Sequence, residues 1–96
     1  MEKYEIMFIV KATIESEKVS ETAKNFQAVL TDMNAKVLDF KEMGEKKLAY
    51  PIKKEINGYY FDMTVEASHD AIKEFDRKSL LDENILRHLI IKLDEE

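Results

Sequence analysis

The sequence contains no cysteine, one proline and two glycines, and each shortage closes off a class of chemistry. Without cysteine there is neither a disulfide framework nor a thiolate metal site, and a reducing cytosol is the compartment expected. Two isolated glycines, Gly44 and Gly58, cannot build a glycine-rich phosphate loop. Long apolar runs are missing as well: Ile6-Met7-Phe8-Ile9-Val10 is far too short to span a bilayer. The start Met1-Glu2-Lys3-Tyr4 lacks the basic-then-apolar layout of a secretory signal. Nor is there an excess of positive charge. Fifteen Lys and Arg against twenty Asp and Glu leave a net charge of −5, which argues against indiscriminate nucleic-acid binding, since phosphate affinity comes largely from Lys and Arg. The charge is uneven, however. Bases cluster at Lys46-Lys47 and Lys53-Lys54, and acids at Glu15 and Glu17, Asp82-Glu83 and Asp94-Glu95-Glu96. An anionic partner would have to use a local patch.

What is present is enough for one two-layer core, and residues 1–96 read as a single domain. Tyr4, Ile6, Phe8 and Val10 alternate with their neighbours as one strongly apolar strand face. Val19, Ala23, Phe26, Leu30 and Met33 recur at helical spacing, with Ser16 placed to cap the helix start, Glu17 favourable near the positive end of the dipole, and Asn34 placed to stop it. A long strand is expected from about Ala35, with a bulge near Gly44 and renewed strand character through Leu48, Tyr50 and Ile52. Asn57-Gly58 is the strongest hairpin signal, because a type I′ turn needs positive φ at both central residues. Tyr59, Phe61, Met63 and Val65 then form one face of a returning strand. Ser68 can cap a second helix with apolar positions Ile72, Phe75, Ser79 and Leu80. Asp82-Glu83-Asn84 turns the chain into a last strand from Ile85 to Leu93.

The order β-α-β-β-α-β is the split βαβ, or ferredoxin-like, arrangement: an α+β sandwich of a four-stranded antiparallel sheet with two helices on one face. Its topology puts the first and third strands in the centre and the second and fourth at the edges. Pro51 then falls on an edge strand, where its missing N–H is tolerated, and the neighbouring lysines discourage edge-to-edge pairing. In the fourth strand Arg87, Leu89 and Ile91 compete with His88, Ile90 and Lys92 for the core. The helix-free face should carry Met7, Ile9, Tyr60, Asp62 and Thr64. An uncovered face with Met, Ile and Tyr suggests a partner surface.

Catalysis finds little support. His69 and His88 stand alone, with no HExxH or similar pair, and no metal, cofactor or small-molecule substrate is implied. RNA recognition motifs share this element order and stack bases on central-strand aromatics. Asn57 to Thr64 only loosely resembles their third-strand motif, and Asp62 would put an anion on the stacking face. A self-associating domain pairing two sheet faces is the alternative that the apolar face itself raises.

The segment Gly44-Glu45-Lys46-Lys47-Leu48-Ala49-Tyr50-Pro51-Ile52 resembles the G-x-[RK]-[RKQ]-L-A-Y-P-I element of the bacterial ribosomal protein S6 family. The opening Met1-Glu2-Lys3-Tyr4-Glu5-Ile6 is similar to that family's M-R-x-Y-E start. Asn57-Gly58-Tyr59-Tyr60 and Ile85 to Lys92 resemble its hairpin and last strand. The resemblance implies a non-enzymatic component of the 30S subunit, in the bacterial cytoplasm or in an organelle of bacterial descent. Such a protein pairs with ribosomal protein S18 and binds the central domain of 16S rRNA during platform assembly. It also implies rRNA contacts at Lys3, Lys46, Lys47 and Arg87, with Lys92 a further member, and protein packing at Met7, Tyr50 and Tyr60. Lys53 and Lys54 are expected to be simply solvated. Glu2 stands where the family commonly has arginine. Lysine rather than arginine at 46 and 47 keeps the charge but loses the planar fork that grips phosphate with two hydrogen bonds.

Overall fold

The computed structural model of the chain describes residues 2–93; the acidic cluster Asp94-Glu95-Glu96 lies outside them. The alternation that begins at Tyr4 forms β1 (Glu2–Lys11), followed by α1 (Ser16–Thr31), β2 (Lys36–Ile52), β3 (Glu55–Ala67), α2 (His69–Leu81) and β4 (Ile85–Lys92). The strands pair antiparallel in the order β2-β3-β1-β4. Pro51 therefore sits on an edge strand, as its missing N–H requires.

Both helices cover one face of the sheet. Tyr4, Ile6, Phe8 and Val10 of β1 and Phe61, Met63 and Val65 of β3 are buried against Val19, Ala23, Phe26 and Leu30 of α1 and Ala71, Ile72 and Phe75 of α2. Phe8 is the hub. Its ring stacks on Phe61 at 5.1 Å between centroids and lies 6.1 Å from Phe26 and 6.2 Å from Phe75, while Phe26 and Phe75 meet edge-on at 5.3 Å. Such aromatic contacts each add about 0.5–1.5 kcal/mol beyond burial. Together they pin the two helices to the two central strands.

Several boundaries differ from expectation for local reasons. Ser16 is the first helical residue rather than the cap. Glu15 holds the extended cap conformation, and its carbonyl accepts from the N–H groups of Lys18 and Val19 at 2.9 and 3.1 Å. Asn34 does stop α1, at φ 67°. Its N–H bonds the Thr31 carbonyl and the Ala35 N–H reaches back to Leu30, the paired bonds of a Schellman stop. Met33 consequently lies past the helix and is exposed. Ser68 caps α2 as anticipated, its Oγ accepting from Ala71 N–H at 3.2 Å. Leu80, expected on the buried stripe, is 71 % exposed. The stripe ends at Ser79, and the next residue is rotated off it by 100°.

The largest difference is in the β2–β3 hairpin. Asn57 and Gly58 do not turn the chain: Asn57 pairs with Lys47, and Gly58 pairs with Lys46 on one side and Lys11 on the other. The two-residue loop is Lys53-Lys54, at φ 49° and 68°, closed by the Ile52–Glu55 pair. Positive φ at both positions is the type I′ requirement, met here by lysines. Gly58 answers to a different demand. A Cβ built there would fall inside 3.0 Å of Ile9 Cγ2 and lie 3.6 Å from Leu48 Cδ2, so glycine is needed for close approach across the sheet. The expected bulge is present: the register shifts between Glu42 and Gly44, and Gly44 takes φ 83°.

Candidate protein and RNA interface

The strand register lays out the uncovered face row by row. Lys3 is flanked by Glu66, with Lys36 beyond it. Glu5 lies between Thr64 and Ile91, with Asp39 beyond Thr64. Met7 lies between Asp62 and Leu89, with Lys41 beyond Asp62. Ile9 lies between Tyr60 and Arg87, with Gly44 beyond Tyr60. This settles the phase of β4. Val10 pairs with Ile85 and Ile9 with Arg87, so Leu86 is an inserted residue. Beyond it Arg87, Leu89 and Ile91 are exposed on the open face, while His88 and Ile90 turn toward the helices. His88 Nε2 lies 2.6 Å from Asp76 Oδ1 of α2, and its ring rests edge-on to Phe75.

The end of the hairpin bends across this face. Leu48 is buried although it lies outside the main core, with Gly58 and Ile9 beneath it. Tyr50 accepts a hydrogen bond from Arg87 of β4, and Lys53 Nζ donates to the Ile85 carbonyl at 3.5 Å. Lys46 Nζ sits 5.8 Å from the Tyr60 ring centroid, a cation–π contact worth about 0.5–1 kcal/mol at an exposed site. Between these groups lies a hollow of about 180 Å³ lined by Met7, Ile9, Tyr60, Arg87, His88 and Leu89.

Five of the eight residues singled out from sequence thus converge: Met7, Lys46, Tyr50, Tyr60 and Arg87. Lys3 shares their face but lies six residues along β1 from Ile9, about 20 Å at strand rise. Lys47 alternates with Lys46 and points to the opposite side of the hairpin. Lys92 pairs with Tyr4 in the ladder, so it lies on the helix side, where its ammonium is 3.1 Å from Glu2 Oε1. Tyr4 OH also donates to Glu2, at 2.9 Å. Lys92 and Tyr4 together hold the Glu2 carboxyl below the usual carboxylate range, and burial pushes the Tyr4 phenol up. Lys53, expected to be only solvated, is both a turn residue and a tie to β4.

Asp62 lies on the open face as strand alternation predicts, but its pairing with Glu5 is not legible in the sequence. Glu5 and Asp62 are diagonal neighbours near the centre of the open face. The Asp62 charge holds the Glu5 carboxyl above the usual range; burial and a hydrogen bond to the same carboxylate add to this, and Lys41 opposes it. Among the described residues no three His, Asp or Glu side chains converge as a metal site would need.

The family model for ribosomal protein S6 matches residues 3–92. The chain belongs to the ribosomal protein S6 family. Among solved structures it is similar to 30S ribosomal protein S6 from Thermotoga maritima, with 22% identity over 96% of this chain and 87% of that one and a TM-score of 0.91. It also shares its fold with an uncharacterized protein from Thermotoga maritima, at 16% identity over 97% of this chain and 98% of that one, with a TM-score of 0.60. Membership in the S6 family makes the chain a structural, non-enzymatic ribosomal component, associated with 16S rRNA in the small subunit. The α+β sandwich and the ribosomal assignment expected from the Gly44–Ile52 element both hold.

Proposed function

We propose that this S6-family chain acts as one half of a heterodimer with ribosomal protein S18, and that the pair binds the central domain of 16S rRNA during platform assembly. Its setting is the bacterial cytoplasm or an organelle of bacterial descent. The observation that carries the reading is the gathering of Met7, Tyr50, Tyr60, Lys46 and Arg87 around one hollow on the open face. An apolar floor with a cationic rim suits a protein partner in the middle and phosphate at the margin. Lys46 and Lys47 project to opposite sides of the same edge hairpin, so an RNA backbone following the outer edge of β2 meets both. Lys3 and Lys92 stand at the far end, on opposite faces, and Glu2 already engages Lys92. They are the weaker rRNA contacts.

A chain of net charge −5 should bind little RNA alone and gain affinity through a basic partner. The test is a gel-shift titration of a central-domain 16S fragment with the chain, with S18 and with both, at stepped salt. Salt-sensitive binding only by the pair is expected, and Lys46→Ala with Lys47→Ala should flatten the salt slope. Tight binding of arbitrary RNA by the chain alone would refute the reading. A stable homodimer at micromolar concentration by light scattering would favour the alternative, two copies pairing their open faces.

A further inference from the structure

The centre of the open face is unfavourable in the free protein in three separate ways. Glu5 and Asp62 stand as diagonal neighbours, and the Asp62 carboxylate raises the cost of charging Glu5. Asp62 Oδ1 is buried without a hydrogen-bond partner, although buried polar atoms normally have one. Lys41, directly across from Asp62 in the ladder, offsets only part of the charging cost at Glu5, and its ammonium lies 3.7 Å from Asp39. Beside the carboxylates runs an apolar strip in which Leu89 is 51 % and Ile91 40 % exposed, bordering the hollow floored by Met7, Ile9 and Tyr60.

One kind of occupant relieves all three. A guanidinium or ammonium between Glu5 and Asp62 separates the like charges and supplies the missing donor, and an apolar neighbour in the same segment covers the aliphatic strip. Phosphate does the opposite, since it would meet two carboxylates on its approach. We infer that the centre of the sheet is a protein-docking seat for a basic, apolar-flanked segment of the S18 partner, its cation held between Glu5 and Asp62. The inference rests on the heterodimer reading and adds to it the residue chemistry of the contact. RNA is left to the hairpin margin.

The test measures S18 affinity by isothermal titration calorimetry for the wild type, Glu5→Gln, Asp62→Asn and the double variant. All four should fold, because the amides keep the shape and remove the repulsion; circular dichroism verifies it. Each single variant is expected to weaken S18 binding about tenfold or more, as for a truncated buried charge pair. Neutralising S18 arginines and lysines one at a time should reveal one position whose loss costs little further in the double variant. If the double variant binds S18 as tightly as wild type, the cation seat is wrong while the heterodimer stands. If the folded wild type binds no S18, the heterodimer reading fails, and the seat with it. Tight, partner-free binding of the 16S fragment that survives Lys46→Ala and strengthens in the double variant would show RNA on this face and overturn the proposal.

Discussion

Gly58→Ala tests a close approach between neighbouring strands of the sheet. The new methyl would fall inside 3.0 Å of Ile9 Cγ2 and at 3.4 Å from the Val10 carbonyl oxygen. Cγ2 is one bond from the stiff, β-branched Cβ of Ile9, so rotation about χ1 offers little escape. Overpacking of this kind costs about 1–3 kcal/mol. Alanine recovers about 0.4–1 kcal/mol by restricting the unfolded chain. The net loss is therefore about 1–2 kcal/mol, and at about 4–8 °C per kcal/mol for a domain this small the melting temperature should fall by roughly 5–15 °C. Urea denaturation gives the free energy and thermal circular dichroism the shift. An Ile9→Ala background supplies the control, since it deletes Cγ2. There Gly58→Ala should become neutral or slightly stabilising, giving a coupling of about 1–3 kcal/mol. If Gly58→Ala costs nothing in the wild type, or the same with and without Ile9 Cγ2, the close-approach account of this glycine is refuted.

Lys54→Gly should stabilise the chain by about 0.5–1 kcal/mol in urea, because a non-glycine residue at φ 68° carries left-handed strain; a loss would refute the placement of the turn at Lys53-Lys54. His88→Ala should cost about 1–2 kcal/mol, combining a lost hydrogen bond to Asp76 with a small cavity beside Phe75, and unchanged stability would show that this tie between β4 and α2 is idle. Glu5→Gln should raise the urea midpoint at pH 7. A carboxyl held above its unfolded value contributes stability while protonated and loses it as pH rises from the ordinary glutamate range through the raised folded value, so the advantage of Gln should vanish on acidification below that window. Glu2→Gln should show the reverse, a loss at neutral pH that disappears as pH falls through the depressed Glu2 value.

Element order, strand order and most of the core were legible because they rest on period. From Tyr4 to Val10 in β1 and from Phe61 to Ala67 in β3 every second residue is buried, and one stripe of each helix meets them. Phase and turns were less so. In β4 both alternations carry aliphatic residues, and a single inserted Leu86 decides between them; nothing local marks an insertion dictated by the partner strand. Asn57-Gly58 was misleading for a similar reason. Glycine satisfies either a positive φ or the absence of a Cβ, and only the neighbour from β1 shows which is at work. The same hairpin brings Tyr50 to Arg87 across 37 residues of sequence through a register irregularity between Lys47 and Ile52, which no dipeptide preference encodes.

The Glu5–Asp62 pair shows why the centre of the site escaped composition-based reasoning. The basic rim could be found by looking for lysines, but two acids far apart in sequence become neighbours only through the β1–β3 register. Their placement separates two explanations that a single assay would confuse. A merely structural carboxylate, when neutralised, lowers stability, and any loss of partner binding follows from that loss. A carboxylate kept for binding behaves oppositely: Glu5→Gln should make the free protein harder to unfold at neutral pH and the complex weaker. Improved stability with impaired S18 affinity in the same variant cannot arise from damage to the fold. Both moving down together would return Glu5 to the scaffold and leave the open face to its apolar residues alone.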